Sequence, residues 1–288
     1  MNHSTNTGRS ILITGASTGI GAACALDLAQ LGFRVFAGVR KQSDGEALRR
    51  QASERLIPVI IDVTIADTIA QATSTIEAAV GENGLFGLVN NAGILVPGPL
   101  ECVSLDDIRR QYEVNVFGAV AVTQAMLPLV RAAQGRIVNM GSISGKVAPP
   151  YLGVYSSSKF ALESITDVLR MELSRWHIDV SIIEPDSVAT PIWGKLLEAT
   201  LKLGKHLPAS VRTLYEHDLR LIAKASAKMN KTGMSVDYVV RAVRHALTAR
   251  RAKTRYPVGF RTHLAFWAAR NLTDRSRDRY LRWAMGMK

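Results

Sequence analysis

The sequence predicts an α/β fold: a doubly wound parallel sheet in three layers, as a single domain. Two observations carry this expectation. Strand-like and helix-like segments alternate six times between residues 10 and 185. The strand-like segments are continuous apolar runs rather than alternating ones, which marks strands buried on both faces. The chain of 288 residues is long enough for one large core, and 47% apolar with 21% charged residues is an ordinary globular mix.

Each element follows in order. SILIT (10–14) reads as a buried strand, and GIGAACALDLAQLG (19–32) as a helix stopped by glycine. FRVFAGV (33–39) is a second strand, KQSDGEALRRQ a loop and helix, and LIPVIIDV (56–63) a third strand. IADTIAQATSTIEAAVGENG (65–84) is helical, and LFGLVNNAG (85–93) is a strand running into a turn. A long helix is expected over 105–133 with Ser104 as its N-cap, then a strand over 135–142, a helix over 154–176 and a strand over 178–185. Beyond residue 190 the pattern is helical but interrupted, with TRYPV (254–258) as an edge strand and one amphipathic helix over roughly 261–285.

Composition excludes several classes. No run of 18 or more residues is uninterruptedly apolar, so no membrane-spanning helix is expected. The opening MNHSTNTGRSILIT lacks the features of a signal peptide. Cys24 and Cys102 form no disulfide framework and suit a reducing, cytoplasmic setting. The six histidines lie far apart, and no metal site is expected.

The net charge of +12 is uneven. Residues 241–288 hold 13 Lys/Arg against 2 Asp/Glu, while the rest of the chain is nearly neutral. No nucleic-acid motif accompanies the basic tail. It is read as a solvated helix on its own body, or as a peripheral contact with an anionic membrane, because Phe266, Trp267, Leu281 and Trp283 are interleaved with arginines.

TGASTGIG (14–21) follows the first strand, with glycines spaced G-x-x-x-G-x-G. Gly15 permits a tight turn, and Gly19 and Gly21 let backbone approach a phosphate and the helix approach the sheet. The helix start offers free N–H groups to a pyrophosphate. The second strand ends in Arg40 and Lys41, with no carboxylate. An acidic residue there would hold a ribose hydroxyl, whereas Arg40 suits a 2′-phosphate, so NADP(H) is favoured over NAD(H).

Tyr155 and Lys159, in YSSSK, stand one helical turn apart on one face. A cation beside a phenol disfavours its neutral form, and an oxidised nicotinamide would push the same way, so the Tyr155 pKa is expected well below its free value, which makes it a usable general acid. Ser142 ends the preceding strand, where its hydroxyl can donate to a substrate oxygen.

Taken in order, TGASTGIG, Asp62-Val63, NNAG (90–93), Asn115, Ser142 and Tyr155 with Lys159 resemble the short-chain dehydrogenase/reductases, over residues 14 to about 190. FAGVRK and TRYPVG resemble the branch handling hydroxysteroids and retinoids. The resemblance implies a Rossmann-type sheet, a nicotinamide cofactor and hydride transfer between alcohol and carbonyl. It implies cofactor contacts from Gly15, Ser17, Thr18, Gly19, Ile20 and Gly21, with Asp62 and Val63 on the adenine. Asn90, Ala92 and Gly93 would line the adenosine ribose, and Lys159 would hold the nicotinamide ribose. Val188 and Thr190 would meet the carboxamide, Asn115 would anchor a water on the proton path, and self-association is expected.

The family's usual glycine after Pro185 is here Asp186, which is read either as a carboxylate favouring the oxidised nicotinamide or as a solvent-facing turn residue. Residues 191–235 are read as a substrate lid. Trp193, Leu196, Leu197 and Leu201, with ILVPGP (94–99) and Ile143, suggest a greasy pocket or ordinary packing. The rival readings are a non-catalytic cofactor-binding sensor and a membrane-associated binding protein.

Overall fold

The computed structural model describes residues 8–287. The opening residues where no leader is expected, and Lys288 of the basic tail, lie outside them. Among the described residues seven strands form one sheet, every pair parallel, in the order β3-β2-β1-β4-β5-β6-β7. The strands are β1 (Ser10–Ile13), β2 (Arg34–Val39), β3 (Leu56–Ile60), β4 (Gly87–Asn90), β5 (Arg136–Met140), β6 (Asp179–Pro185) and β7 (Arg255–Val258). This is the expected doubly wound, Rossmann-type sheet, with helices on both faces.

Side-chain alternation builds the two faces. Ile11 and Ile13 of β1 pack with α1 (Gly19–Gln30) and α9 (Asp237–Thr248). Leu12, between them, points the other way, into a cluster with α3 (Ala66–Val80) and α5 (Gly118–Ala132). Leu173, the last residue of α6 (Gly153–Leu173), joins that second cluster. On the first face Leu48, from α2 (Gln42–Arg49), completes the packing.

The chain direction across the sheet reverses between β1 and β4, so their carboxyl ends open the crevice where such sheets bind ligands. The strands stop short of the expected runs. β3 ends at Ile60 and β4 at Asn90, and the residues beyond leave the ladder. β7 pairs only with β6, so Pro257 sits on an edge, where its missing N–H is tolerated.

The long helix over 105–133 contains an irregularity. α4 (Leu105–Tyr112), whose cap Ser104 accepts from Asp107 N, runs into a π turn at Glu113–Phe117 before α5. The continuous run is long and apolar enough to span a membrane, contrary to the reading from uninterrupted apolar length. Here Val122, Met126, Leu129 and Val130 are buried in the core, so it serves as a packing helix.

After β6, α7 (Ile192–His206) and α8 (Ala209–Thr232) form a helical hairpin. Leu207, Leu219 and Ile222 give it a small core of its own, shared with Tyr151 and Cys102 of the body. The expected single last helix is two, α10 (Phe260–Asn271) and α11 (Asp274–Ala284). Leu272 and Thr273 are extended (ψ 144° and 155°), and Thr273 precedes the second helix without a side-chain cap hydrogen bond.

Candidate active site

The glycine turn is fixed from behind by the fourth strand. Gly15 has φ +64°, and a Cβ there would stand 2.8 Å from the Ala92 Cα. A Cβ on Gly21 would lie 2.4 Å from the Gly15 carbonyl oxygen, so only glycine lets α1 pack this close. Thr14 Oγ1 accepts from Asn91 N (3.0 Å) and Ala92 N (3.1 Å), and Asn91 Nδ2 donates to the carbonyls of Thr14 (2.9 Å) and Gly15 (3.1 Å). Sequence reading missed Thr14 and Asn91, although both lie inside the quoted motifs.

Thr18 precedes α1 without a side-chain cap, and first-turn N–H groups have no acceptor within a helix. With Ser17, Gly19 and Ile20 around them, these groups fit a phosphate-bearing cofactor. Thr190 lies over the turn, its Cβ 3.3 Å from where a Gly19 Cβ would be. Arg40 is exposed at the end of β2, beside Lys41 at the head of α2.

Other expected contacts are already engaged within the protein. Asn90 is buried and donates to Thr123 Oγ1 (2.8 Å) and Asn139 Oδ1 (2.9 Å), so its side chain faces the interior rather than the crevice. Asp62 Oδ1 accepts from Thr64 N (3.0 Å) and Oγ1 (2.7 Å). The Val63 side chain packs where a Cβ on Gly118 would be. The Val188 carbonyl takes the Trp193 indole N–H at 2.7 Å. Asp186 Oδ1 accepts from Ser187 N at 2.6 Å and its side chain lies against Gly259, at the end of β7.

Asn115 owes its position to the π turn, whose extra residue turns it toward β4. Its Oδ1 accepts from Ile94 N (2.8 Å), and its Nδ2 donates to Ile94 O (3.0 Å) and Ser158 Oγ (3.2 Å). Gln111, one turn earlier, accepts from Val96 N and donates to Ile94 O, both at 2.8 Å. The two amides clamp the segment after NNAG, a pairing legible as two amides four apart. Gly93 sits against Asn115 Oδ1.

Ser142 leaves β5 and heads a short turn at Ile143–Gly145, its Oγ accepting from Ser144 N at 3.1 Å. The Tyr155 phenol lies beside the same side chain, which acts to lower its pKa. Lys159 is on the same face of α6, its Nζ 5.7 Å from the Tyr155 ring centroid and donating to Met140 O at 2.7 Å. The predicted neighbourhood of Ser142, Tyr155 and Lys159 is therefore present.

The predicted acidity of the phenol is not. Burial pushes Tyr155 above its ordinary value, and the Ser142 side chain only partly opposes it. Lys159 gives its proton contact to a carbonyl rather than the phenol. It is also a weakened cation, lowered to about 8 by burial, with Glu163 acting the other way.

The apolar wall is mixed. Val96 and Leu196 are buried and Trp193 and Leu197 half-buried, but Leu201 is 54% exposed and faces away. The hairpin is latched to the body through residues that sequence reading passed over. Tyr215 donates to Glu101, and its ring meets that of Tyr151, at φ +64°, edge to face with centroids 6.4 Å apart.

A parallel sheet with a glycine turn at its reversal point, and a serine, tyrosine and lysine at the carboxyl edge, define a nucleotide-dependent oxidoreductase. Residues 9–200 match the family described as short chain dehydrogenase, and the chain belongs to that family. It is 39% identical over 267 residues to 17-beta-hydroxysteroid dehydrogenase type 6 of Bos taurus (89% of this chain, 82% of the relative). It is 37% identical over 281 residues to retinol dehydrogenase 5 of Mus musculus (96% and 88%). A short chain dehydrogenase from Burkholderia cenocepacia, solved in complex with NADP, superposes with TM-score 0.73 at 24% identity, covering 100% of both chains. One from Burkholderia phymatum, in complex with NAD, gives 0.74 at 23% identity, covering 100% of this chain and 98% of that one. The fold is shared with binders of either cofactor.

Proposed function

We propose that the protein moves a hydride between NADP(H) and a bulky, poorly polar secondary alcohol or ketone of steroid-, retinoid- or lipid-like character. One observation carries the reading: the Tyr155 phenol and the Ser142 hydroxyl meet at the carboxyl edge of the sheet, beside Lys159. The nicotinamide, when bound, supplies or accepts the hydride. Ser142 donates to the substrate oxygen and fixes it beside Tyr155, which gives or takes the proton. Lys159 would hold the nicotinamide ribose when the cofactor is bound, and its positive charge would lower the phenol's pKa from its buried value.

Asn115, its hydrogen bonds filled by Ile94 and Ser158, holds the 94–96 wall and the start of α6 rather than contacting substrate. Asp62 and Val63 would border the adenine, and Ala92 and Gly93 its ribose. Thr190 reaches the carboxamide. Arg40 with Lys41 supports the choice of NADP over NAD, because a carboxylate is missing where a bare ribose would need one.

The hairpin 191–235 acts as the substrate lid. The relatives' names, a hydroxysteroid and a retinol dehydrogenase, support a hydrophobic substrate. The test is a panel of sterols, retinoids and aliphatic and aromatic ketones with both cofactors, following absorbance of the reduced nicotinamide. Absence of turnover across the panel would leave the sensor reading in its place.

A second feature bears on location. Phe260, Leu264 and Trp267 stand exposed at helical spacing along α10, and Tyr280 and Trp283 on α11, among Arg261, Arg270, Arg275, Arg279 and Arg282. Aromatic and cationic groups together suit an anionic bilayer surface, which we include in the reading as peripheral contact of an otherwise cytoplasmic enzyme. Phe160, Val168 and Met171, exposed on one side of α6, suit a homo-oligomer.

A further inference from the structure

Tyr155, Lys159, Glu163 and Asp167 follow at four-residue spacing and share one face of α6. Glu163 is buried, and Glu184, on the adjoining β6, is fully buried. The mechanism above uses neither carboxyl. Lys146 Nζ donates to Glu163 Oε2 at 2.8 Å and lies 3.9 Å from Glu184 Oε1. Arg255 pairs with Glu163 Oε2 as well, reaches Glu184 Oε1 at 3.4 Å, and holds Asp167 at 2.6 Å.

These contacts leave Glu163 Oε1 and Glu184 Oε2 buried and without a hydrogen-bond partner among the described residues. The two carboxyl groups are bridged by the same two cations, Lys146 and Arg255. Two carboxylates buried around shared cations repel one another, which favours a proton on one of them. In keeping with this, burial and the neighbouring Glu163 push Glu184 up to about 9.

The pair touches the active site twice. Glu163 opposes the burial that strips Lys159 of its proton. Its Oε1 also lies 3.2 Å from where a Cβ on Gly145 would be, and Gly145 N donates to Ser142 O at 2.9 Å. The carboxyl thus abuts the turn that presents Ser142.

We propose that Glu163 and Glu184 hold one proton and one negative charge between them, and that this single charge keeps Lys159 an ammonium. Both are positioning residues, and the proposal rests on Lys159 being the partner of the phenol. The charged groups facing the pair are Lys159, Asp167 and Arg170 from α6, Lys146 from the turn after β5 and Arg255 from β7. Phe266 of α10 covers Lys146 and adds no charge. Without the pair's charge, Lys146, Arg170 and Arg255 face Asp167 alone, and the surplus of cations lowers Lys159 further. Either carboxyl can carry the charge, so one substitution preserves it and two remove it.

The test uses the full chain with isotope-labelled lysine, the Lys159 side-chain titration being read by NMR and assigned with Lys159→Arg. Glu184→Gln keeps a neutral donor facing Glu163 and is expected to leave the Lys159 midpoint in place. Glu163→Gln with Glu184→Gln is expected to lower it by about one pH unit or more, and to move the alkaline limb of kcat for ketone reduction by the same amount. Circular dichroism reports whether each variant folds. Should the double variant not fold, carboxyl NMR of the wild type decides: one carboxyl of the pair protonated at neutral pH is expected. Two ionised carboxyls, or an unmoved Lys159 in a folded double variant, overturn the proposal. A midpoint that moves while the kcat limb stays put overturns instead the role given to Lys159.

Discussion

Lys159 Nζ is bonded to the carbonyl of Met140 at 2.7 Å while its neighbour on the helix face, the Tyr155 ring, is 5.7 Å away at its centroid. The two side chains adjoin without being paired. Helical spacing brings them together, and the end of β5 claims the ammonium.

Tyr155→Phe removes the proton donor and preserves the ring. We expect kcat to fall by about 10²–10⁴-fold, with cofactor binding, followed by nicotinamide fluorescence, near wild type. Turnover within a few fold of wild type would refute the role of the phenol.

Burial of Lys159 carries a stability cost with a defined pH window. Its folded pKa, about 8, lies below the ordinary 10.5. Below pH 8 both states are protonated and the folded state bears the full cost; between 8 and 10.5 the folded state sheds its proton first and stability rises. Lys159→Met should therefore stabilise the cofactor-free protein at neutral pH by up to about 3 kcal/mol, a gain fading toward pH 10, while activity is lost. Urea titrations across that range measure it, and a destabilised variant at neutral pH contradicts it.

Glu184 has the opposite sign of shift, from 4.5 to about 9. The folded state binds the extra proton between these values, so its stability falls as pH rises through them. Glu184→Gln should flatten the dependence and be the more stable form at neutral pH by about 3 kcal/mol at most. Thermal melts at several pH values test this; parallel curves for the two proteins would argue against a held proton.

Arg40→Ala should raise the KM for NADPH by about 10–100-fold, the worth of a charge-assisted hydrogen bond, with little change for NADH. Equal losses with both cofactors would assign Arg40 a structural part.

For the tail, Trp267→Ser with Trp283→Ser should weaken sedimentation with anionic vesicles and spare turnover of a soluble substrate. Binding of wild type to neutral vesicles alone, or to none, would remove the membrane reading.

Much of this was legible in the chain. Apolar runs gave the parallel sheet, and the spacing of Tyr155 and Lys159 gave their common face. The Asn115 contact was not legible, because a π turn is a one-residue irregularity inside a helical pattern. The direction of the phenol shift was missed because spacing reports neighbours and says nothing of how dry the site is. The break at Leu272 and Thr273 was hidden by continuous charge on both sides. Leu201 followed the apolar pattern of α7, yet it lies on the side the body does not cover.

Beyond α8, Met234 pairs with the segment after β6: its N–H donates to Ser187 O at 2.8 Å and its carbonyl accepts from Ala189 N at 2.9 Å. The hairpin's trailing end and the peptide leading to Thr190 are thus stitched into one piece. If the hairpin is the substrate lid proposed above, its swing would pull on the peptide leading to Thr190, and admitting one reactant would be mechanically tied to gripping the other.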